Sequence, residues 1–251
     1  MTRSDLDTPE LTEHRRALLA RRPFLRGVYE EWYRRIVETL PPGSRRILEI
    51  GTGPGFLEAT VPALITSDVL EISDVTLIMR AQALALKDSS LDAIVLVNVL
   101  HHVPEPRRFF REATRCVRPQ GRLIMVEPWL TPWSRLVYRY LHHEPMEPDA
   151  TAWEFPATGP LSSANIALPW IIFERDRKQF AEEWPQWEIQ SIVPTMPWLY
   201  LASGGFTAPA LMPGASLALW RRAERLVGRW HRRLGMFAYI VLQRRSTDEG
   251  A

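Results

Sequence analysis

Among 251 residues there is one cysteine, Cys116. An internal disulfide is therefore excluded, and the chain fits a reducing compartment. Within "REATRCVRP" this thiol reads as a buried helix residue rather than a nucleophile. No apolar run approaches the roughly 18 residues that a bilayer span needs. The opening stretch, "MTRSDLDTPELTEHRRALLARR", lacks the apolar core of a secretory leader, so a cytoplasmic location is expected. A surplus of one charge is missing as well, with Lys+Arg 31 against Asp+Glu 29. That balance gives no default for polyanion binding: no DNA partner is expected and RNA is disfavoured. There is no internal repeat and no low-complexity tract. No pair of histidines has a metal-ligand spacing, so no metal is expected.

What is present is a hydrophobic content of 46%, enough for one large domain, or one domain with an added cap. Apolar residues at helical spacing predict helices over Pro9–Arg22 and Phe24–Leu40, and Pro41-Pro42-Gly43 ends the second. Beyond them the pattern alternates. "RRILEIG", "LITSDVLE", "DVTLIMR", "LDAIVLVNVL" and "GRLIMVEPW" read as strands, the fourth as one buried on both faces. "FLEATVPAL" and "PEPRRFFREATRCVRP" read as helices between them. This order predicts an α/β, Rossmann-like doubly wound sheet. Further on, "LTPWSRLVYRYLHHEP" and "RDRKQFAEEW" read as helices and "WEIQSIVPTMP" as a strand. "SLALWRRAERLVGRWHRRLG" reads as one basic amphipathic helix. "MFAYIVLQRR" is a final antiparallel strand before a polar tail. The expected division is 1–42 as an N-terminal helical cap and 43–129 as the core. Residues 130–186 form a helical and aromatic insert, and 187–245 complete the core.

The stretch "ILEIGTGPGF" carries the sharpest signal. Glycines after a strand let backbone approach a ligand closely, and a following helix would offer free N–H groups. The spacing Gly51, Gly53, Gly55 is GxGxG, not the GxGxxG of dinucleotide sites. Glu49-Ile50-Gly51-Thr52-Gly53-Pro54-Gly55, followed by "SSLDAIVLVNVLHHVPEPRRFFREATRCVRPQGRLIMVEP", resembles the class I S-adenosylmethionine-dependent methyltransferases. The likeness is greatest to the small-molecule branch of ubiquinone/menaquinone type, and it covers about a third of the chain. It implies S-adenosylmethionine as cofactor, with Gly51, Thr52, Gly53 and Gly55 beneath its methionine part and Glu49 orienting the loop. An acid ending the second strand would take the ribose hydroxyls, Asp68 first and Glu71 second. Asn98 would face the cofactor or the acceptor, or serve only the turn. Where relatives carry an acid near the adenine, this chain has Arg80, which accepts no hydrogen bond. Ala81 and Gln82 would then hold the adenine, or the site would be weakened.

Transfer to oxygen needs a base with a pKa near neutral, which histidine supplies. His101 and His102 follow the fourth strand, where the methyl group should point, whereas His142 and His143 end a helix. Glu127 ends the fifth strand and could serve as base, bind substrate or close a helix N-terminus. The insert "HHEPMEPDATAWEFPATGPLSSANIALPW" supplies Trp153, Phe155 and Trp170 for an apolar substrate wall, or for a packed cap. Arg221, Arg222, Arg225, Arg229, Arg232 and Arg233 would give peripheral contact with a membrane surface or an ordinary solvated face. The expectation is a methyltransferase acting on a small molecule or glycan at oxygen, as monomer or homodimer. The alternatives are a non-catalytic binding protein of the same fold, and an RNA methyltransferase.

Overall fold

The computed structural model describes residues 7–62 and 64–246. The start of the opening stretch and most of the polar tail lie outside them. The helix α1 (Pro9–Arg21) begins at Thr8, whose hydroxyl accepts from the Leu11 N–H at 3.2 Å, with proline at the first position. The next, α2 (Pro23–Thr39), buries Phe24, Leu25, Val28, Trp32 and Ile36. Their helical spacing makes one apolar face, which explains why α2 packs inward although many of its other residues are charged.

Seven strands form one sheet: β1 (Ile47–Ile50), β2 (Leu64–Asp68), β3 (Leu77–Ile78), β4 (Leu91–Val97), β5 (Val117–Pro128), β6 (Trp187–Thr195) and β7 (Phe237–Arg244). Their order is β3-β2-β1-β4-β5-β7-β6. The first five are parallel, and β7 runs antiparallel between β5 and β6. The run from Leu91 to Leu96 is buried throughout, the mark of a central strand covered on both faces. Strand order reverses between β1 and β4, so their carboxyl ends open a crevice there.

The remaining helices are α3 (Pro106–Cys116), α4 (Pro132–Leu141), α5 (Leu168–Trp170), α6 (Arg177–Glu183), α7 (Leu199–Ser203), α8 (Leu217–Leu226) and α9 (His231–Leu234). A π-helical turn, Ile171–Arg175, joins α5 to α6. Among the described residues, no helix is long and apolar enough to cross a membrane.

Three expectations are corrected. Within "FLEATVPAL", where Ala63 lies outside the described residues, only a 3-10 turn, Leu57–Ala59, forms in place of a helix. The glycine turn therefore has no helix N-terminus behind it, and its own N–H groups must serve a ligand one by one. The basic helix is also broken: α8 ends at Leu226, and a 3-10 turn, Gly228–Trp230, precedes α9. Arg221 turns inward to donate to the Gly27 carbonyl at 2.8 Å, while Arg222, Arg225, Arg229, Arg232 and Arg233 face solvent. Of the two readings of the insert aromatics, finally, the substrate wall is the one corrected: Trp153, Phe155 and Trp170 lie outside the lining of the cavity at the strand ends and form the packed cap. Trp153 is buried, with its indole N–H on Asp176 at 2.9 Å and the Arg107 guanidinium over its ring. Arg135 covers Trp170, and the backbone N–H of Phe155 bonds the Pro104 carbonyl.

Phe110 joins α3 to the insert. Its ring meets Phe180 at 5.2 Å, Trp184 at 5.7 Å and Phe173 at 6.1 Å between centroids. Phe110→Ala should cost about 3–5 kcal/mol, through lost burial and the cavity left behind. Chemical denaturation checks this, and a loss under about 1 kcal/mol would show that the insert is not anchored there.

Candidate active site

A cavity of about 560 Å³ opens at the carboxyl ends of the parallel strands, a volume within the range of ligand sites. Its floor is the glycine turn after β1, with Asp68 at the end of β2, Val69 just beyond it and Asn98 after β4. The roof comes from elsewhere in the chain: Thr12 and Arg15 of α1, Tyr29 and Tyr33 of α2, Tyr138 of α4, and Tyr200, Phe206 and Leu211 beyond β6. None of these roof residues was expected from the sequence, because nothing in a tyrosine's local pattern says which surface it will close over.

The turn has the shape that its glycines allow. Gly51 has φ 67° and Gly53 φ 52°, conformations that side chains other than glycine's rarely adopt. A Cβ on Gly51 would also come within 2.6 Å of Val99. Gly55 serves packing instead: a Cβ there would sit 2.6 Å from the Tyr33 hydroxyl, which accepts the Phe56 N–H at 3.1 Å. Asp68 lies at the end of β2, one oxygen accepting from Gly53 N–H at 2.9 Å and the other from Leu70 N–H at 3.0 Å. A carboxylate has about four acceptor positions, so both oxygens retain capacity for ligand hydroxyls. Glu71 is exposed and outside the cavity lining.

Glu49 is buried and accepts from the Thr52 hydroxyl at 3.1 Å. Burial pushes its carboxyl up to about 8, partly opposed by that hydrogen bond and reinforced by Glu58 and Asp68. Asn98 stands at φ 57°, and its side-chain oxygen is buried with no partner. Such an orphan acceptor is costly unless a ligand or water answers it. Glycine backbone without side chains, a carboxylate with spare acceptor capacity, a buried acid and an orphan amide oxygen together fit a cationic, hydroxyl-bearing cofactor such as S-adenosylmethionine.

Ala81 and Gln82 do not line the cavity, and Ala81 is buried in the core. Arg80 is exposed and, among the described residues, pairs with no carboxylate. The expected adenine contact therefore has no counterpart in this arrangement.

At the other end of the cavity both histidine pairs meet. A 3-10 turn, Leu100–His102, follows β4, and Glu127 of β5 accepts from the Val99 and Leu100 N–H groups, each at 2.8 Å. Its other oxygen lies 2.7 Å from His101 Nδ1. Glu127 is fully buried and absent from the cavity wall, so of its three open roles the base and the substrate contact are corrected: it closes the N-terminus of the turn and positions His101. His102 Nδ1 lies 2.8 Å from the Ser163 carbonyl, which can only accept, so Nδ1 carries the proton and Nε2 presents its lone pair. Burial opposes charge on His101, but Glu127 and Glu144 outweigh it and raise the ring to about 9. Burial, then the neighbouring His101, lowers His102 to about 4.

Glu144 had no place in the sequence expectation. It lies 3.5 Å from His101 Nε2, 3.7 Å from His102 Nε2, 3.9 Å from His143 Nε2 and 4.0 Å from His142 Nδ1. Against the burial that would raise it, the surrounding histidines hold its carboxyl well below the ordinary range. The signal was its position, directly after His142-His143, but only the fold brings it to His101 and His102.

The Glu49 pKa has a stability consequence. A folded chain that keeps this proton up to about pH 8, when the unfolded chain releases it near 4.5, loses stability as pH rises between those values. Glu49→Gln removes that loss. Relative to wild type, its stability should rise across the window by on the order of 3 kcal/mol, measured by denaturant unfolding at several pH values. A difference independent of pH would show Glu49 to be charged throughout.

Comparison with known proteins agrees with this geometry. Residues 48–125 match the family described as "Methyltransferase domain". An uncharacterized methyltransferase of Mycobacterium tuberculosis (strain ATCC 25618 / H37Rv) is 32% identical over 111 residues, which are 39% of this chain and 44% of that protein. One from Mycobacterium sp. (strain KMS) is 27% identical over 108 residues, 37% of this chain and 43% of its own. The matches thus span less than half the length of these relatives. A solved Thermotoga maritima structure, described as a SAM-dependent methyltransferase and possible histamine N-methyltransferase, superposes with a TM-score of 0.55. It is 18% identical, covering 88% of this chain and 90% of that one. A SAM-dependent methyltransferase from Archaeoglobus fulgidus gives 0.51 at 16% identity, covering 88% and 94%. Residues 48–125 are thus similar to the methyltransferase-domain family, and the seven-stranded sheet around them has the fold of the two solved methyltransferases.

Proposed function

We propose that the cavity is the active site of an S-adenosylmethionine-dependent methyltransferase that methylates a small molecule or glycan at oxygen. The observation that carries this reading is one cavity with two chemically different ends. One end is the cradle of Gly51, Gly53, Asp68 and Asn98. At the other, the His102 Nε2 lone pair and Glu144 suit the binding and orientation of an acceptor hydroxyl. The cofactor, when bound, supplies an electrophilic methyl group on a sulfonium centre.

The residues of the chain do the positioning. Asp68 accepts from the ribose hydroxyls, and the glycine turn lets the methionine part lie against backbone. Glu49, in its ionised form, and Asn98 answer the cofactor's positive end. His102, its ring too weak a base to keep a proton at neutral pH, accepts a hydrogen bond from the acceptor hydroxyl at Nε2 and so aligns it, and Glu127 and Ser163 hold the two rings still. The tyrosines and Phe206 of the roof exclude water, which strengthens these interactions. Leu141 and Leu211 line the cavity and are 75% and 62% exposed. They suit an acceptor with an apolar portion.

Arg80 and the withdrawn Ala81 and Gln82 favour a second reading, a binding protein of this fold without catalysis. Calorimetric titration with S-adenosylmethionine and S-adenosylhomocysteine separates the two. Binding in the micromolar range is expected, weakened at least about tenfold by Asp68→Asn and abolished by Gly53→Arg, which forces a side chain into the cradle. With an accepted substrate, His102→Ala should then lower kcat by about 100-fold at unchanged cofactor affinity, through loss of acceptor alignment. No binding of either compound by folded protein would defeat the methyltransferase reading. Binding without transfer across phenolic, sugar and carboxylate acceptors would favour the second.

A further inference from the structure

The cluster around Glu144 has a geometry that alignment of an acceptor hydroxyl alone does not need. Four imidazole nitrogens surround one carboxylate at 3.5–4.0 Å. These separations exceed the 3.2 Å limit of an ordinary N–H···O hydrogen bond. They match the spacing of ligands around a shared ion instead: two atoms each about 2.1 Å from one tetrahedral centre lie about 3.4 Å apart. The donor atoms of His101, His102 and Glu144 all fall within 4.8 Å of one another.

The orientation of the rings is the second observation. His101 gives its Nδ1 to the Glu127 carboxylate and His102 its Nδ1 to the Ser163 carbonyl. Both Nε2 atoms therefore turn toward Glu144, and an ion bound there would displace the proton from His101 Nε2 into solvent. Histidines that ligate metals have this arrangement, with the far nitrogen donated to a carboxylate or backbone carbonyl that fixes tautomer and ring angle. His142 is excluded as a third imidazole through Nδ1, because that atom accepts the Glu144 backbone N–H at 3.2 Å. His143, half-exposed, remains beside the cluster. We propose that His101 Nε2, His102 Nε2 and the Glu144 carboxylate form a binding site for a divalent transition-metal ion of the zinc class, with an open position toward the cavity.

Two imidazoles and one carboxylate select zinc, cobalt, iron or manganese over magnesium and calcium, which prefer all-oxygen ligands. A fourth position open to the cavity takes an oxygen of the ligand that enters there, and an ion-bound hydroxyl loses its proton more readily than a free one. On this view His102 Nε2 acts through the ion rather than on the hydroxyl directly. The metal site does not depend on the methyltransferase reading; only its role toward an acceptor oxygen does. Cofactor titration tests that reading separately, because the cradle of Gly53 and Asp68 shares no ligand with the cluster.

The test uses full-length protein purified without a histidine tag, stripped with a chelator and titrated with zinc against a chromophoric competitor. Cobalt titration in parallel reports the ligand field in the visible spectrum. The expected result is one ion per chain, with a cobalt spectrum of low coordination number. Glu144→Gln and His102→Ala should each abolish stoichiometric uptake, and Glu127→Gln should weaken it by roughly 10- to 100-fold. Thermal unfolding in chelator shows whether each variant is folded, and the ligand variants should lose the rise in Tm that zinc gives wild type. Absence of uptake by folded wild-type protein overturns the proposal. So does uptake that persists unchanged in both ligand variants, since the ion would then be bound elsewhere.

Discussion

The arrangement of the cavity depends on a single buried carboxylate. Glu127 closes the turn after β4 through the Val99 and Leu100 N–H groups and holds His101 with its other oxygen. A carboxylate fully removed from water must be answered by donors, or its desolvation is costly. Here three donors answer it, all from the segment that follows the neighbouring strand. The requirement that this charge be satisfied therefore fixes where β4 ends, how the chain turns and which way the first histidine faces. His102 and the insert follow from that: the His101 carbonyl accepts the Asn165 N–H at 2.9 Å, and the Ser163 carbonyl receives His102.

The glycine end is held by different means. The Gly53 N–H goes to Asp68, its carbonyl accepts from Arg16 at 3.1 Å, and the same guanidinium donates to the Ser73 carbonyl at 2.9 Å. With no full helix after the turn, α1 and α2 supply the cover that a βα crossover gives elsewhere. This accounts for the dense aromatic packing of Tyr29, Trp32, Tyr33 and Phe56 against the turn.

Much of the sheet was legible, because periodicity and burial agree: continuous apolar runs became β4 and the inner half of β5, and the apolar face of α2 is the buried one. The fold class came from alternating strands and helices together with the resemblance, and Gly51, Gly53 and Asp68, which that resemblance singled out, meet in the lining of one cavity. Less legible was anything decided by long-range contact. "FLEATVPAL" has the composition of a helix, yet the chain must return to β2 within a few residues of Leu57 and makes one tight turn instead. Trp153 and Trp170 were sensible pocket aromatics by composition, but guanidinium groups cover both. Glu127 was open among three roles, and only its burial selects one. Glu144 was invisible because a carboxylate's meaning lies in its neighbours, and these come from two histidine pairs about forty positions apart.

The roof of the cavity joins the two ends of the chain. Arg22 donates to the carbonyls of Gly205 and Ala208, and Arg221 to that of Gly27. During synthesis the first helices emerge long before those partners exist. The floor residues, all before position 130, can reach their sheet neighbours β1 to β5 while translation continues. The roof cannot close until the chain has left the ribosome as far as Arg221, and contacts of such sequence separation form late and slowly. A nascent chain thus carries an open, aromatic-rich half-site until residues 200–221 emerge, and a ligand meets a closed cavity only after them.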